Sequence, residues 1–324
     1  MQGSLGISSL GKDAMGTVHD LLEAKGKQAA RELIEGRRGP RVVEAAANWA
    51  CDEDIGTGYM YSGWCQTALP HKRPADNAAI WKLETDSMTL LVEPGVRVAP
   101  GGDPAHVGVP FGAIARLILI YLQSEALRTG SRDIELGGSL RAFLGRLELP
   151  VGGKTTKLVR EQAERISRCR LTFHAKRQGG SLLVNQNIVD VAMFVDDPGD
   201  TGQGTLFVET ARLSETFFQQ LKKHAVPLDE AAIRHIRNSS MALDVYCWLA
   251  YRLHSLSASK PITWAALAGQ FGAGIKLRKH FKPAFLENLA LAQAVYRDAK
   301  VEVTDTGLLL HPSPPPVRKL LKQG

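Results

Sequence analysis

Cysteine is scarce and scattered: Cys51, Cys65, Cys169 and Cys247 lie far apart, and no two form a C-x-x-C pair. That excludes the usual zinc site, whose ligands are clustered in sequence. Cys247 falls in an apolar helical run and Cys169 beside a strand, so buried free thiols in a reducing compartment are expected. Long apolar runs are missing too. The most apolar stretch, Ile114 to Leu122, is interrupted by Arg116, and it falls short of the roughly 20 residues a spanning helix needs. With no signal-peptide core at the N-terminus, a soluble, cytoplasmic bacterial protein is expected, with no membrane partner.

A missing glycine settles the next question. The stretch LPVGGKTTKLVREQ, residues 149–162, contains Gly153-Lys154-Thr155, the G-K-[ST] end of a phosphate loop. Such a loop needs an earlier glycine so that its backbone N–H groups can wrap the phosphates. That position is Glu148, whose carboxylate repels phosphate, and a helical pattern rather than a strand precedes it. No nucleotide, metal or other cofactor is expected. The histidines include no H-x-H pair, which removes the metal site of a rolling-circle nicking enzyme. Tyr246 and Tyr251, the tyrosines one would ask to attack DNA, lie on an apolar helical pattern where core packing is expected. The chain is not expected to be an enzyme.

What is present is basic. The formal net charge is +7 on 324 residues, with a pI near 9.2, a bias toward polyanionic partners whose meaning depends on where the charge sits. That length accommodates two domains or three.

Along the chain, residues 12–36 and 45–51 read as helices, 55–76 as a Gly/Tyr/Trp-rich segment and 81–93 as strand. They form an N-terminal extension, 1–93. The Pro- and Gly-rich stretch 94–110 reads as a linker or long loop. From 111 the pattern sharpens. Ile114, Leu117, Ile118, Tyr121 and Leu122 mark one helix face. A short strand follows at 133–136. Ser139 is an N-cap for a helix bearing Leu140, Phe143, Leu144 and Leu147, and the stretch from Gly153 opens another helix. Period-two strands then run from Arg170, through the turn Lys176-Arg177-Gln178-Gly179-Gly180, to Val195, with a third strand at 204–209 and a helix at 214–223. Helix, strand, helix, turn, helix, hairpin is the order of a winged helix-turn-helix unit, here 111–224. A second such order spans 225–311: helices at 228–237, from Ser239 or Ser240 to Leu253, from Thr263 to Phe271 and from Ile275 to about Arg297, then a hairpin of 301–303 with 308–310. A Pro-rich, basic tail closes the chain at 312–324. The expected fold is α+β, helix-rich, with two tandem winged helix-turn-helix units.

Each unit has a candidate recognition helix. In the first, Val159, Ala163 and Ile166 form a narrow apolar stripe. Lys154, Lys157, Arg165 and Arg168 lie opposite, Arg160 flanks them, and Thr155 and Thr156 add hydroxyls. A helix so divided packs by one face and offers cations and hydroxyls to a major groove by the other. Glu161 and Glu164, four residues before Arg165 and Arg168, offer those two arginines an intrahelical alternative. Lys176 and Arg177 supply a basic wing tip for phosphate. In the second unit Lys276, Arg278, Lys279, His280 and Lys282 crowd the helix start, ahead of the stripe Phe281, Phe285, Leu289 and Ala292. Pro283 demands either that the regular helix begin near Lys282 or that it kink.

The segments YSGWCQTALPHKRP (61–74), VPFGAIARLILIYLQSEALRTGSRDIELGGSLRAFLGRL (109–147) and MALDVYCWLAYRLHSL (241–256), with the run 263–289, resemble plasmid replication initiators of the RepA type. The resemblance implies two winged-helix domains on double-stranded DNA repeats, iterons, at a plasmid origin. It further implies opening of the adjacent duplex, partnership with the host replicative helicase and its loader, and a monomer–dimer equilibrium in which dimers repress the gene. A tandem winged-helix repressor without initiator activity shares all of the sequence features.

Overall fold

The computed structural model describes residues 17–34, 39–54, 56–98, 102–136, 152–177, 180–196, 206–275 and 277–317, together with 142, 144–146 and 148–149. The expected helix from Ser139 falls mainly outside these residues.

The chain opens with α1 (Thr17–Leu33), bent at Gly26, and α2 (Gly39–Ala50), whose Val42, Val43, Ala45 and Ala46 are buried. β1 (Thr57–Tyr61) and the single helical turn α3 (Ser62–Cys65) follow. Tyr61 and Trp64 pack edge-on against Phe173, so the Gly/Tyr/Trp-rich segment is structural. The expected strand at 81–93 is a hairpin of β2 (Trp81–Glu84) and β3 (Met88–Glu93), closed where Thr85 N–H and Oγ1 donate to Met88 O. Inside the expected linker, β4 (Val96–Arg97) and β5 (Ala105–His106) pair, and Val107 and Val109 are buried.

α4 (Gly112–Thr129) is the centre of the molecule. Ile114 to Gln123 are buried all round, the state a helix without a polar face must reach. It ends at Gly130, left-handed at φ 68°, where glycine incurs no Cβ penalty. One edge of β1 uses α4 side chains in place of a strand: Ser124 Oγ accepts the Tyr59 N–H at 2.8 Å and Gln123 Oε1 that of Tyr61 at 2.7 Å. After β6 (Asp133–Glu135) comes α5 (Gly153–Arg168). Four strands follow: β7 (Arg170–Arg177), β8 (Gly180–Asn187), β9 (Val189–Asp196) and β10 (Leu206–Leu213). They divide between two sheets, ordered β2-β3-β7-β8 and β6-β10-β9. The strand expected to run unbroken from 182 to 195 therefore bends at Ile188. Ser214 fixes the bend, its N–H donating to Ile188 O at 3.0 Å and its Oγ to Asn187 O at 2.7 Å. Ser214 also caps α6 (Glu215–His224) by accepting the Phe217 N–H.

β11 (Ala225–Asp229) pairs antiparallel with the other edge of β1. Leu228, expected in a helix, is a buried strand residue opposite Gly58. The helix α7 (Glu230–Ile236) starts two residues later because Asp229 accepts the Ala231 N–H as N-cap. α8 (Ser240–Arg252) is capped by Ser239 and α9 (Trp264–Phe271) by Thr263, the caps expected from sequence. β12 (Lys260–Thr263), α10 (Arg278–Ala294), β13 (Val301–Val303) and β14 (Gly307–Leu310) complete the chain, with sheet order β12-β14-β13. The architecture is mixed helix and sheet, with one buried cluster running through both halves.

Candidate nucleic-acid interface

On α5 the stripe Val159, Ala163 and Ile166 is buried as expected. Gln162 joins it, its Oε1 accepting the Phe111 N–H at 2.8 Å. Lys154 and Lys157 are exposed, while Thr155, Thr156 and Arg160 are half-buried. No acidic residue lies in the first turn, so the positive end of the helix dipole and the lysines add.

The two last arginines do something else. Arg165 is 2% exposed. Its Nη1 donates to Val109 O at 3.0 Å, its Nη2 and Nε to Glu161 Oε1 at 2.8 and 3.1 Å, and its guanidinium lies 5.1 Å from the Phe111 ring centroid. A Cβ on Gly108, which sits at φ +85°, would meet Arg165 Nη1 at 2.1 Å, so that backbone yields to the guanidinium. Burial draws the Arg165 pKa below the ordinary arginine value, against the pull of Glu161. The groove-facing position expected of Arg165 is therefore corrected: the side chain ties α5 to the loop before α4. Arg168 is half-buried, donating to Glu164 Oε1 at 3.2 Å and to Val96 O at 3.1 Å. Arg73 and Arg97 pair with the same two glutamates from outside. The intrahelical alternative has taken Arg165 whole and Arg168 in part.

Lys176 and Arg177 end β7, opposite Ser181 and Gly180. Their hairpin pairs with β3, in a different sheet from the one that contains β6. The hairpin of that sheet is β9–β10. The side chains of Lys176 and Arg177 fall outside the described residues.

α10 begins at Arg278, so Pro283 stands inside the helix, earlier residues included. Phe281, Phe285, Leu289 and Ala292 are buried as expected. Lys279, His280 and Lys282 are exposed, and Lys282 Nζ stands 4.8 Å from the Trp264 ring centroid. Lys276 lies outside the described residues, and Arg278 is placed by its backbone alone.

Tyr246 is fully enclosed, its hydroxyl accepting the Asp229 N–H at 2.9 Å, and burial pushes its pKa well up. Tyr251 is raised by the same cause. Tyr251 is half-buried against the core. Cys65, Cys169 and Cys247 are buried, with pKa values raised by burial, that of Cys169 to about 12; Cys51 is exposed.

Two helices, each seated by an apolar stripe and opening with exposed lysines, belong to the class of proteins suited to a polyanion. Residues 109–266 match the RepA_C family, plasmid encoded RepA protein. The matched region contains α4, α5 and α8, and through it the chain is similar to plasmid RepA replication initiators. No match was found among curated proteins. Among solved structures, the chain is similar to selenomethionine derivatives of domain 2 and domain 3 of RctB, with 10% identity and a TM-score of 0.46 over 70% of this chain and 82% of that one. A second structure of RctB domains 2–3 gives 10% identity and a TM-score of 0.43, covering 69% and 80%. Among the described residues, no helix is long and apolar enough to cross a membrane.

Proposed function

We propose that the chain initiates plasmid replication by binding repeated sites in origin duplex DNA through two winged-helix units, with α5 and α10 as the groove-facing helices. The family match over residues 109–266 carries this reading. The sheet orders support the winged-helix detail: in each half the strand after the first helix pairs with the last strand of the closing hairpin, giving β6-β10-β9 and β12-β14-β13. The unit boundaries proposed are 111–224 and 225–311.

Lys154, Thr155, Thr156, Lys157 and Arg160 on α5, with the outer face of Arg168, form the first contact set. Lys276, Arg278, Lys279, His280 and Lys282 form the second, and Lys176 and Arg177 reach flanking phosphate. Phosphate contacts supply affinity and steep salt dependence, and base contacts supply the choice of repeat. Bound to its repeats, the protein opens the neighbouring duplex, recruits the replicative helicase and its loader, and as a dimer represses its own gene.

The test is autonomous replication. A replicon whose one origin is this gene with its flanking repeats should be maintained in a suitable bacterial host and lost when Lys154, Lys157, Lys279 and Lys282 are replaced by Gln. Binding to the repeats without maintenance in any of several hosts would favour a repressor instead.

A further inference from the structure

Glu161 and Glu164 set an electrostatic difficulty for α5 as a groove-facing helix. With about 3.6 residues to a turn, they stand with Lys157 and Arg168 on the face opposite the buried Val159, Ala163 and Ile166. A bare carboxylate there would repel the phosphates of a duplex. Neither carboxylate is bare. Glu161 Oε2 accepts from Arg73 Nη2 at 2.5 Å, and its Oε1 from Arg165 Nη2 at 2.8 Å. Glu164 Oε2 accepts from Arg97 Nη1 at 3.4 Å, and its Oε1 from Arg168 Nε at 3.2 Å. Each glutamate thus lies between two guanidiniums, one from α5 itself and one from chain that precedes α4.

The arginines differ in what they keep for solvent. Arg165 is enclosed beside Val109 and Phe111. Arg73 and Arg97 are the reverse: their side chains are 52% and 43% exposed, against 25% and 13% for the glutamates they cover. Both are steadied from below. The Arg73 guanidinium lies 5.1 Å from the Phe111 ring centroid. Arg97 sits on β4, where Val96 O accepts from Arg168 Nη1 at 3.1 Å. A guanidinium carries five N–H donors in a fixed fork, and a bond to one glutamate engages only part of it. Two arginines to one glutamate leave each group with a net positive charge. Lys72, next to Arg73, is exposed and adds to it.

We infer that Arg73 and Arg97 contact DNA phosphate, so that the loop 69–80 and β4 form the flank of the first DNA-binding surface beside α5. This rests on the DNA-binding reading above and extends it to chain outside both winged-helix units. A helix that enters a groove by its N-terminal turns has its later turns at the rim, where the phosphates stand. Glu161 and Glu164 lie in those later turns of α5, and the two guanidiniums stand over them. The arginine fork matches phosphate oxygens. A glutamate that already holds each fork in place reduces the side-chain freedom lost on contact. The carboxylates on the outer face are therefore anchors for the phosphate contacts.

The experiment combines salt titration with phosphate-ethylation interference on a duplex bearing the repeats that flank the gene, using the full chain. Arg73→Gln and Arg97→Gln should each lower the slope of log affinity against log salt by about 0.9. Each should also become indifferent to ethylation at a phosphate that blocks the intact chain. Arg73→Lys and Arg97→Lys keep the charge and should keep the slope. The paired variants Arg73→Gln with Glu161→Gln and Arg97→Gln with Glu164→Gln restore the parent's net charge and leave an acceptor for the second arginine. They should remain deficient in slope and in the same phosphates. Recovery of both in the paired variants would mean that the arginines only mask the glutamates, and it overturns the inference. So does a full set of blocking phosphates in the single variants, whatever the slope. Either result leaves DNA binding intact, whereas no binding by the intact chain at low salt refutes the DNA-binding reading itself.

Discussion

Arg116 and Asp244 form a two-point ion pair between α4 and α8, Nε to Oδ1 and Nη2 to Oδ2 both at 2.6 Å. The arginine side chain is 3% exposed and the aspartate 11%. The remaining donor capacity is filled by Leu69 O, Pro70 O and Gly112 O. His71, from the same loop, bonds Ser240 Oγ and Phe271 O. The loop 69–71 is thus pinned between α4 and α8, and the charge that interrupts the apolar run at 114–122 has its reason.

Removing one partner of this pair leaves a buried, uncompensated charge. Asp244→Ala should lower stability by about 3–5 kcal/mol, measured by urea unfolding. Arg116→Met with Asp244→Leu should recover most of that, since packed apolar groups avoid the cost of desolvating two ions. A double variant as unstable as the single one would show that the backbone bonds of Arg116, rather than the pair, hold the loop.

Arg165 tests whether a cation on a candidate recognition helix serves DNA or the fold. Arg165→Ala should cost about 2–4 kcal/mol of stability, through the lost bonds to Val109 and Glu161 and the space left beside Phe111. At temperatures where the variant remains folded, the salt dependence of DNA binding should be unchanged. A flatter salt slope with unaltered unfolding would return Arg165 to the interface.

Periodicity and capping chemistry made much of the helical framework legible. Ser239 and Thr263 cap where expected, and the stripes Val159–Ala163–Ile166 and Phe281–Phe285–Leu289 are buried. Strand partnership was not legible, because it is fixed by residues distant in sequence. Nothing local tells that β7 pairs with β3, or that the run through Ile188 divides between two sheets at a bond from Ser214. Charges on α5 were half legible. The i,i+4 glutamates announced partners for Arg165 and Arg168, but only the loop 107–111 folding over the helix shows that Arg165 is enclosed. Glu148 was noticed for the glycine it replaces; its left-handed backbone and its contact with Arg237 belong to tertiary structure.

The exposed lysines carry the opposite expectation to Arg165. Replacing Lys279 and Lys282 by Gln should reduce the slope of log affinity against log salt by roughly one unit per lost phosphate contact. Replacing Lys154 and Lys157 should do the same. Each pair should shift stability by no more than about 0.5 kcal/mol, as surface changes do, although Lys282 also gives up its contact with Trp264. Fluorescence anisotropy at several salt concentrations reads the slope, and an unchanged slope for either pair would remove that helix from the phosphate-contacting set.

Buried His19 and largely buried His71 set a pH dependence. His71 and His19 have folded-state pKa values below the ordinary 6.5: for His71 burial leads and Arg116 adds, and for His19 burial leads and Arg297 adds. Asp244, 4.0 Å from His71 Nδ1, pulls the other way without reversing the shift. The unfolded chain therefore binds more protons than the folded one as pH falls through 6.5. Stability contributed by the neutral rings is fully present above that pH, is lost progressively below it, and levels off once the folded-state values are passed. Each histidine can steepen the dependence by at most about 1.4 kcal/mol per pH unit. Urea unfolding between about pH 7.5 and pH 5 should show stability falling with acid. His71→Gln and His19→Gln should each be less stable at neutral pH yet show a shallower fall. A variant whose pH slope matches the parent would mean that its histidine titrates alike in both states, contrary to the buried geometry.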